Sequence, residues 1–503
     1  MDRPRGRARQ PGPNPARNQW GRGGGKPNRG AERAKPHPRT PHALDPRKAA
    51  YDSLRRLEPG ERIEPAVFGT LRHHGADPAL ASRVLPQVED AVRFSILFDY
   101  MISHVASRPV AELDRDVRAA MHMFLAWLIH DPKAAYAHGN AAVDLLTPRH
   151  AGRGFVNACA RKLSGFIRIE NSGPQDYRSA AERHEQLPLW TDRCRLGAGR
   201  MLIGERAILP DPVADLPAHL SVVASIPRVL VDQLIDQHGP QAAIQAALAC
   251  IERPMIWIRP NALFAEAFHL PHWWTAQGIA VIPHQGALAL PAGVRSVTDH
   301  PDFARGGFYV QDFAAQQVAP MLQAEAGETL LDLCAAPGGK SSHLAELTGD
   351  KARVLACDQS QAKEERIREN ITRMGYRSIA TVVADAADVR FPEQFDRVLI
   401  DAPCSNSGVL GRRVEARHRI NDKALAELAV LQLKILENAA ANLKPGGTIV
   451  YSVCSILMEE GVDVVHRFIG PREKAGWEVA EENFILPVPA FHDGGYICRI
   501  VAP

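Results

Sequence analysis

Hydrophobic and polar residues follow different periods in the two halves of this chain. From residue 44 to about residue 169, apolar side chains such as Val117, Met121, Phe124 and Leu128 recur three or four positions apart, which is the spacing of an amphipathic helix. From about residue 296 onward, short β-branched runs alternate with helical stretches, which is typical of a doubly wound α/β sheet. The pattern predicts an all-helical N-terminal domain followed by a Rossmann-like α/β domain.

The α/β part contains five predicted strands separated by predicted helices. Gly375 and the Pro-Gly-Gly run at 445–447 supply residues that end helices. The strands are predicted at residues 329–333, 354–358, 381–385, 397–401 and 448–452, and the helices at 341–347, 361–374, 423–443 and 459–468.

The segment between the two parts is polar and broken by glycine and proline over residues 170–215, and we predict irregular structure without a role there. After Ser225 a helical pair leads to a short strand bounded by Pro254 and Pro260. The predicted domains are a disordered Arg/Gly/Pro-rich tail (1–43), a helical domain (44–170), a linker with a small connecting subdomain (171–295) and the α/β domain (296–503).

Length and composition fit a multidomain globular protein. The 503 residues exceed the roughly 250 to 300 at which single cores stop growing. No apolar run approaches the ~20 residues of a membrane helix, and the first residues lack the apolar core of a secretion signal. The eight cysteines form no C-x-x-C pair, so neither a zinc site nor a disulfide framework is indicated. We expect a cytoplasmic protein without a metal.

Positive charge is concentrated in the first 42 residues, which hold nine Arg and two Lys against two acidic residues. The whole chain carries only +3, so the remainder is mildly acidic. The tail is either a flexible arm that contacts RNA phosphates or a solubilising segment.

A run of small residues at 331–340 leads from the first predicted strand into a helix. In open α/β sheets, ligands bind beyond the carboxyl ends of strands, where glycines allow close approach and backbone N–H groups face an anion. The run lacks both G-x-G-x-x-G and G-x-x-x-x-G-K-[ST], which disfavours dinucleotide and P-loop nucleotide sites. The candidate ligand-binding residues in it are Cys334, Ala335, Ala336, Pro337, Gly338, Gly339 and Lys340.

Acidic residues close the next three predicted strands. Asp358 is suited to accept from ribose hydroxyls, and Asp385 could accept from an adenine amino group. Asp401 ends the fourth strand. Each alone is typical of a turn, but four ligand-suited features at successive strand ends predict one binding crevice.

Two cysteines follow neighbouring strands at the same predicted edge. Cys404 comes shortly after Asp401, and Cys454 follows the fifth strand. Carbon 5 of cytosine accepts a methyl group only after a thiolate has added at carbon 6, so a thiol beside an acid suits that reaction. The residues alone leave open which thiol would attack.

Taken together, the runs at 331–340, 401–404 and 451–455, with 307–312 upstream, resemble the Sun-type family of bacterial ribosomal RNA small-subunit methyltransferases B, a branch of the RNA cytosine-C5 methyltransferases. The basic and apolar run at 148–163 is similar to the closing helix of the NusB-like RNA-binding domain found in that family. The resemblance covers most of the chain outside the tail and residues 170–215.

The resemblance implies an enzyme that methylates carbon 5 of cytosine in RNA, specifically 16S ribosomal RNA. It implies that residues 334–340 with Asp358, Asp385 and Asp401 bind S-adenosylmethionine. It makes Cys454 the nucleophile, gives Cys404 a role in product release and lets Asp401 position the base. In DNA cytosine methyltransferases the cysteine of the Pro-Cys pair attacks instead, so the swapped assignment is the main rival.

The chain departs from the family pattern near the predicted pocket. Val453 stands where the family has Thr, Met-Glu-Glu-Gly at 458–461 replaces Pro-Glu-Glu-Asn, and Arg-Arg-Val-Glu at 412–415 replaces an Arg-His/Arg-Pro-Asp run. These departures bear on which RNA is modified. An alternative function is an RNA-binding ribosome-assembly factor with a degenerate methyltransferase domain; a methyltransferase for protein or small molecules would need neither two cysteines nor a NusB-like domain.

Overall fold

The structure is a computed structural model that describes residues 44–173, 179, 187–265, 269–294 and 297–503. Residues 44–503 form one compact unit. The predicted tail, residues 1–43, and part of the 170–215 segment lie outside the described residues.

The first part is helical, as the periodicity predicts. Helix α5 (Arg115–His130) shows why: the side chain of Asp114 accepts hydrogen bonds from backbone N–H groups of its first turn, and nearly every residue from Val117 to Ile129 is buried. A helix buried on almost all sides is the centre of its bundle. The helices are α1 (Pro46–Arg56), α2 (Ile63–His73), α3 (Ala81–Arg93), α4 (Ser95–Ala106), α5 (Arg115–His130), α6 (Ala135–Leu145) and α7 (Arg153–Phe166).

A three-stranded antiparallel sheet follows where irregular structure was predicted. Its order is β1 (Ile167–Asn171), β3 (Arg200–Gly204) and β2 (Arg193–Arg195). A tight turn with positive φ at Gly197 and Gly199 joins β2 to β3. Strand β1 alternates apolar and charged residues over only four positions, from Ile167 to Glu170, and it follows α7 directly, so the sequence did not separate it from the helical part.

A second small sheet connects the helical part to the α/β part. The predicted strand near residue 257 is confirmed as β4, whose Trp257 and Ile258 are buried. Its sheet order is β5, β6, β4, β7. The elements are α8 (Leu216–Val223), α9 (Arg228–Ala249), β4 (Ile256–Pro260), α10 (Leu270–Thr275), β5 (Ile282–His284), β6 (Ala287–Leu290), α11 (Pro301–Ala304) and β7 (Phe308–Val310).

The α/β part is built on a seven-stranded sheet, counted over the described residues, with the order β10, β9, β8, β11, β12, β14, β13. The first five are parallel, and all of them except the edge strand β10 contain buried residues, while β14 and β13 add an antiparallel edge. The elements are α12 (Phe313–Gln316), α13 (Val318–Met321), β8 (Thr329–Asp332), α14 (Gly339–Leu347), β9 (Arg353–Asp358), α15 (Gln361–Met374), β10 (Ile379–Val383), β11 (Phe395–Asp401), α16 (Asp422–Ala441), β12 (Leu443–Val453), α17 (Val462–Ile469), β13 (Glu478–Ile485) and β14 (Gly495–Val501).

This architecture confirms the predicted fold class, a helical N-terminal region with a Rossmann-like α/β part. The strand order reverses between β8 and β11, which creates a crevice at the carboxyl ends of these strands. Across the described ranges, none of the helices combines the length and the apolar character needed to cross a bilayer.

Candidate active site

The crevice at the carboxyl ends of β8, β11 and β12 contains a cleft of about 260 Å³. Strands β11 and β12 are neighbours, with Asp401 paired in register with Ser452, so the loops that follow them lie side by side. Of the residues singled out in the sequence, Lys340, Asp401 and Cys454 line the cleft, whereas Asp358, Asp385 and Cys404 do not.

The loop from β8 to α14 is shaped by close packing. Gly338 has φ +98°, a conformation that glycine adopts readily, and a Cβ on Gly339 would lie 2.9 Å from the ring of Tyr309. The backbone N–H of Ala336 donates to the carboxylate of Asp358 at 3.0 Å. The small residues of this run therefore allow neighbouring elements to pack closely against the loop, in addition to leaving room for a ligand.

Asp358 and Asp385 make contacts that shape their own loops. Asp358 is 4% exposed and also accepts from Lys363 Nζ at 2.9 Å. Asp385 is exposed and accepts from the backbone N–H of Ala387 at 2.9 Å. Their predicted contacts with a ribose and an adenine stay predictions.

Lys340 and Asp401 form an ion pair on the cleft wall, with Nζ to Oδ2 at 2.6 Å. Ser452 Oγ donates to the other carboxylate oxygen at 3.1 Å. Burial lowers the pKa of Lys340, but Asp401, Asp332 and Cys454 together raise it more, so this pKa lies above its ordinary value. The pair fixes the orientation of Asp401, a contact that the sequence did not indicate.

The two thiols meet, with Cys404 Sγ and Cys454 Sγ 2.9 Å apart. Cys454 also donates to Asn406 Oδ1 at 3.3 Å. The hydrogen bond with Cys454, together with burial, raises the pKa of the Cys404 thiol well above its ordinary value. Cys454 lines the cleft and Cys404 does not, so Cys454 is the thiol that a molecule in the cleft would meet.

A buried carboxylate, Glu460, connects the loops that carry the two cysteines. It is 0% exposed and accepts hydrogen bonds from the backbone N–H of Ser405 at 2.8 Å and from Ser455 Oγ at 2.5 Å. Gln432 of α16 donates to it at 3.1 Å. The sequence marked this position only as part of an altered run, because a carboxylate in a polar stretch gives no signal of burial.

Two carboxylates and an arginine form the opposite part of the cleft lining. Arg412 donates to Asp493 at 2.6 Å and to Asp312 at 3.0 Å. Burial and the nearby Asp312 raise the pKa of Asp493 to about 7. Arg412, noted as a departure from the family pattern, is thus held by ion pairs at the cleft.

Among the described residues away from the cleft, Asp114 and Asp116 at the start of α5 lie close enough to His150, just before α7, to form a group of possible metal ligands. Asp114 caps the helix and Asp116 pairs with Arg55 at 3.1 Å. These contacts account for both carboxylates, and we assign no metal to them.

Comparisons with known proteins agree with this architecture. Residues 319–486 match the family model described as 16S rRNA methyltransferase RsmB/F. The chain is 35% identical over 295 residues to the ribosomal RNA small subunit methyltransferase B of Klebsiella pneumoniae (strain 342), an alignment that covers 55% of this chain and 65% of that protein. It is 39% identical over 233 residues to the protein of the same name from Salmonella paratyphi A, an alignment that covers 43% of this chain and 52% of that protein. The match thus spans between half and two thirds of these relatives.

A solved structure shares the fold over a longer stretch. The crystal structure of PH0851 superposes with a TM-score of 0.65 and 21% identity, and the match covers 91% of this chain and 99% of that chain. This likeness concerns the fold alone.

The strand order of the sheet, the crevice at its edge and the match to the family model together define a Rossmann-like methyltransferase domain. Residues 319–486 of that domain match the RsmB/F family model, which confirms the family resemblance seen in the sequence.

Proposed function

We propose that this protein transfers a methyl group from S-adenosylmethionine to carbon 5 of a cytosine in RNA, with 16S ribosomal RNA as the substrate. The observation that carries the proposal is the cleft in which Cys454 lies beside the Lys340–Asp401 pair, with Cys404 2.9 Å behind it. The relatives from Klebsiella and Salmonella are named for ribosomal RNA, which supports the choice of substrate.

The residues next to the cleft suit the methyl donor. The loop at 334–340 offers backbone without bulky side chains at Gly338 and Gly339, and its Lys340 reaches the cleft wall. When bound, S-adenosylmethionine supplies an electrophilic methyl group. Asp358 and Asp385 stand at the ends of the next strands, where we place the ribose and adenine contacts.

In the proposed reaction the Cys454 thiolate forms a bond to carbon 6, and the displaced electron pair makes carbon 5 nucleophilic. Asp401, held by Lys340, positions the polar edge of the cytosine. Carbon 5 takes the methyl group as the bond between that group and the donor sulfur breaks, and its electron pair leaves with S-adenosylhomocysteine. A base then removes the carbon 5 proton. The double bond between carbons 5 and 6 then re-forms, and the sulfur–carbon bond breaks with its electron pair returning to Cys454. We assign Cys404 to this release step.

The proposal is tested with 16S ribosomal RNA fragments that contain 5-fluorocytidine, in the presence of S-adenosylmethionine. Fluorine at carbon 5 cannot leave as a proton does, so the adduct persists and migrates as a protein–RNA band under denaturing conditions. We expect the band with the native protein and with Cys404→Ala, and none with Cys454→Ala.

Two outcomes would contradict the proposal. A band that Cys404→Ala alone abolishes would assign the attack to Cys404. RNA binding without any adduct or methyl transfer, on naked RNA and on ribosomal subunits, would favour the assembly-factor alternative, which the altered run at 412–415 suggests.

A further inference from the structure

The segment between β11 and α16, residues 402–421, forms one wall of the cleft without regular structure to support it. It contains only two short 3₁₀ turns, Ser407–Val409 and Val414–Arg419. Asn406, Arg412 and Arg413 of this segment line the cleft. Its conformation therefore depends on contacts with other parts of the protein.

Arg417, near the end of this segment, is fully buried and makes an unusual set of contacts. Its side chain is 0% exposed, and burial lowers its pKa to about 9. Within the described residues, the hydrogen-bond and ion-pair partners of its guanidinium are all backbone carbonyl oxygens. They belong to Val414 at 2.8 Å, Ser225 at 2.7 Å, Cys250 at 2.9 Å, Leu410 at 3.4 Å, Ala224 at 3.5 Å and Arg93.

Three of these carbonyls explain the position of the guanidinium. Arg93 is the last residue of α3, Ser225 lies two residues beyond the end of α8, and Cys250 follows the end of α9. Carbonyls at helix C-termini have no partner within the helix and carry partial negative charge. A guanidinium offers five N–H donors in one plane, so a single arginine can satisfy three helix ends at once.

The contact is reciprocal. Arg93, itself buried, donates to the backbone carbonyl of Gly411 at 2.9 Å, next to the cleft residue Arg412. Close by, Ser95 Oγ and His418 Nε2 are 3.2 Å apart. The helical part and the cleft segment are thus joined by buried hydrogen bonds in both directions, and a buried cation of this kind is costly unless every donor is satisfied.

We propose that Arg417 is a positioning residue that fastens the cleft wall, residues 402–421, to the C-terminal ends of three helices. Through it, the helical part of the protein sets the geometry of the cleft. The activity readout below rests on the proposed methyl transfer, whereas the exchange readout does not.

The test uses the full chain with Arg417→Lys, which keeps the charge but cannot span three carbonyls, and Arg93→Lys, which weakens the junction from the helix side. Arg55→Lys is the matched control, because Arg55 pairs with Asp116 on the surface of the helical part. Phe124→Leu, in the helical core, controls for a general loss of stability.

Hydrogen exchange is measured without RNA or methyl donor. For both junction variants we expect faster exchange in peptides covering 404–413, with peptides from α14 unchanged. In methyl transfer we expect kcat to fall by about 100-fold, the scale for a displacement of about 1 Å in a site, while KM for RNA changes less than about threefold. Arg55→Lys should match the native protein in both measurements.

Unchanged exchange at 404–413 in both junction variants would overturn the proposal. The proposal would also fail if Phe124→Leu had the same melting temperature as the junction variants and lost as much kcat as they do. That result would show that the loss of kcat follows from lower stability alone. If the native protein proves inactive, the proposed function fails, and the exchange pattern alone decides whether Arg417 positions the wall.

Discussion

The buried carboxylate of Glu460 gives a prediction that links stability to the cysteine loops. Glu460→Gln keeps the size of the side chain but replaces one acceptor oxygen by an NH₂ group. The carboxylate accepts from the backbone N–H of Ser405, from the hydroxyls of Ser405 and Ser455 and from Gln432 Nε2. An amide oxygen can keep about half of these four bonds.

The expected loss follows from the donors that remain unpaired. Each buried donor left without an acceptor costs about 1–3 kcal/mol, and the two serine hydroxyls can partly recover by accepting from the new NH₂ group. We therefore expect Glu460→Gln to lower the free energy of unfolding by about 2 kcal/mol. The loops that carry Cys404 and Cys454 should shift with it, so the yield of trapped adduct should also fall.

Urea denaturation at pH 7.5 measures the first effect. Glu437→Gln, on the exposed surface of α16 with a 4.0 Å contact to Arg472, is the control and should change stability little. A free energy of unfolding for Glu460→Gln within about 0.5 kcal/mol of this control would refute the reasoning, since surface substitutions fall in that range.

Two further predictions concern the residues on either side of the loop between β8 and α14, Asp332 and Gly339. Burial raises the pKa of Asp332 to about 7, so this residue favours folding most below the ordinary pKa of 3.8, and the benefit is lost as pH rises through 7. The difference in free energy of unfolding between Asp332→Asn and the native protein should therefore shift by about 3 kcal/mol in favour of the variant from pH 5 to pH 8, as measured by urea unfolding at both pH values. The same difference at both pH values would contradict this. Gly339→Ala should destabilise by about 1–3 kcal/mol, because its Cβ would lie 2.9 Å from Tyr309. Gly154→Ala, which has no atom within 4 Å of its Cβ, should be neutral or stabilising in the same thermal melt, and equal effects of the two would refute the packing argument.

Local sequence patterns were sufficient for most of the α/β part. The helix predicted at 361–374 is α15 (Gln361–Met374), and the five predicted strands are confirmed with shifts at their ends. These elements combine a strong period with clear end signals such as Gly375, which has φ +80° at the end of α15. Because parallel strands end at one edge of a sheet, the same reasoning anticipated that the loops of Cys404 and Cys454 would be neighbours.

Elements without such patterns were missed. Strand β13 is exposed over most of its length and rich in glutamate, and it exists because β14 provides an edge to pair with. Strand β1 was also missed, and it likewise depends on pairing with another strand, β3. In both cases the strand forms because a partner strand supplies its backbone hydrogen bonds, and the residues of the strand itself have too weak a preference for it to be predicted from the sequence.

Periodicity and motif spacing are local properties of the chain, so they were enough to predict the five parallel strands, the helices between them and the chemistry available at the strand ends. The burial of polar groups and the partners they pair with depend on folding, which brings together residues far apart in the chain. Lys340 meets Asp401 61 positions later, and Arg417 reaches the carbonyl of Arg93 across 324 positions. A charged side chain is ordinarily solvated, and its burial becomes favourable only when folding brings the matching carboxylate or helix ends to it.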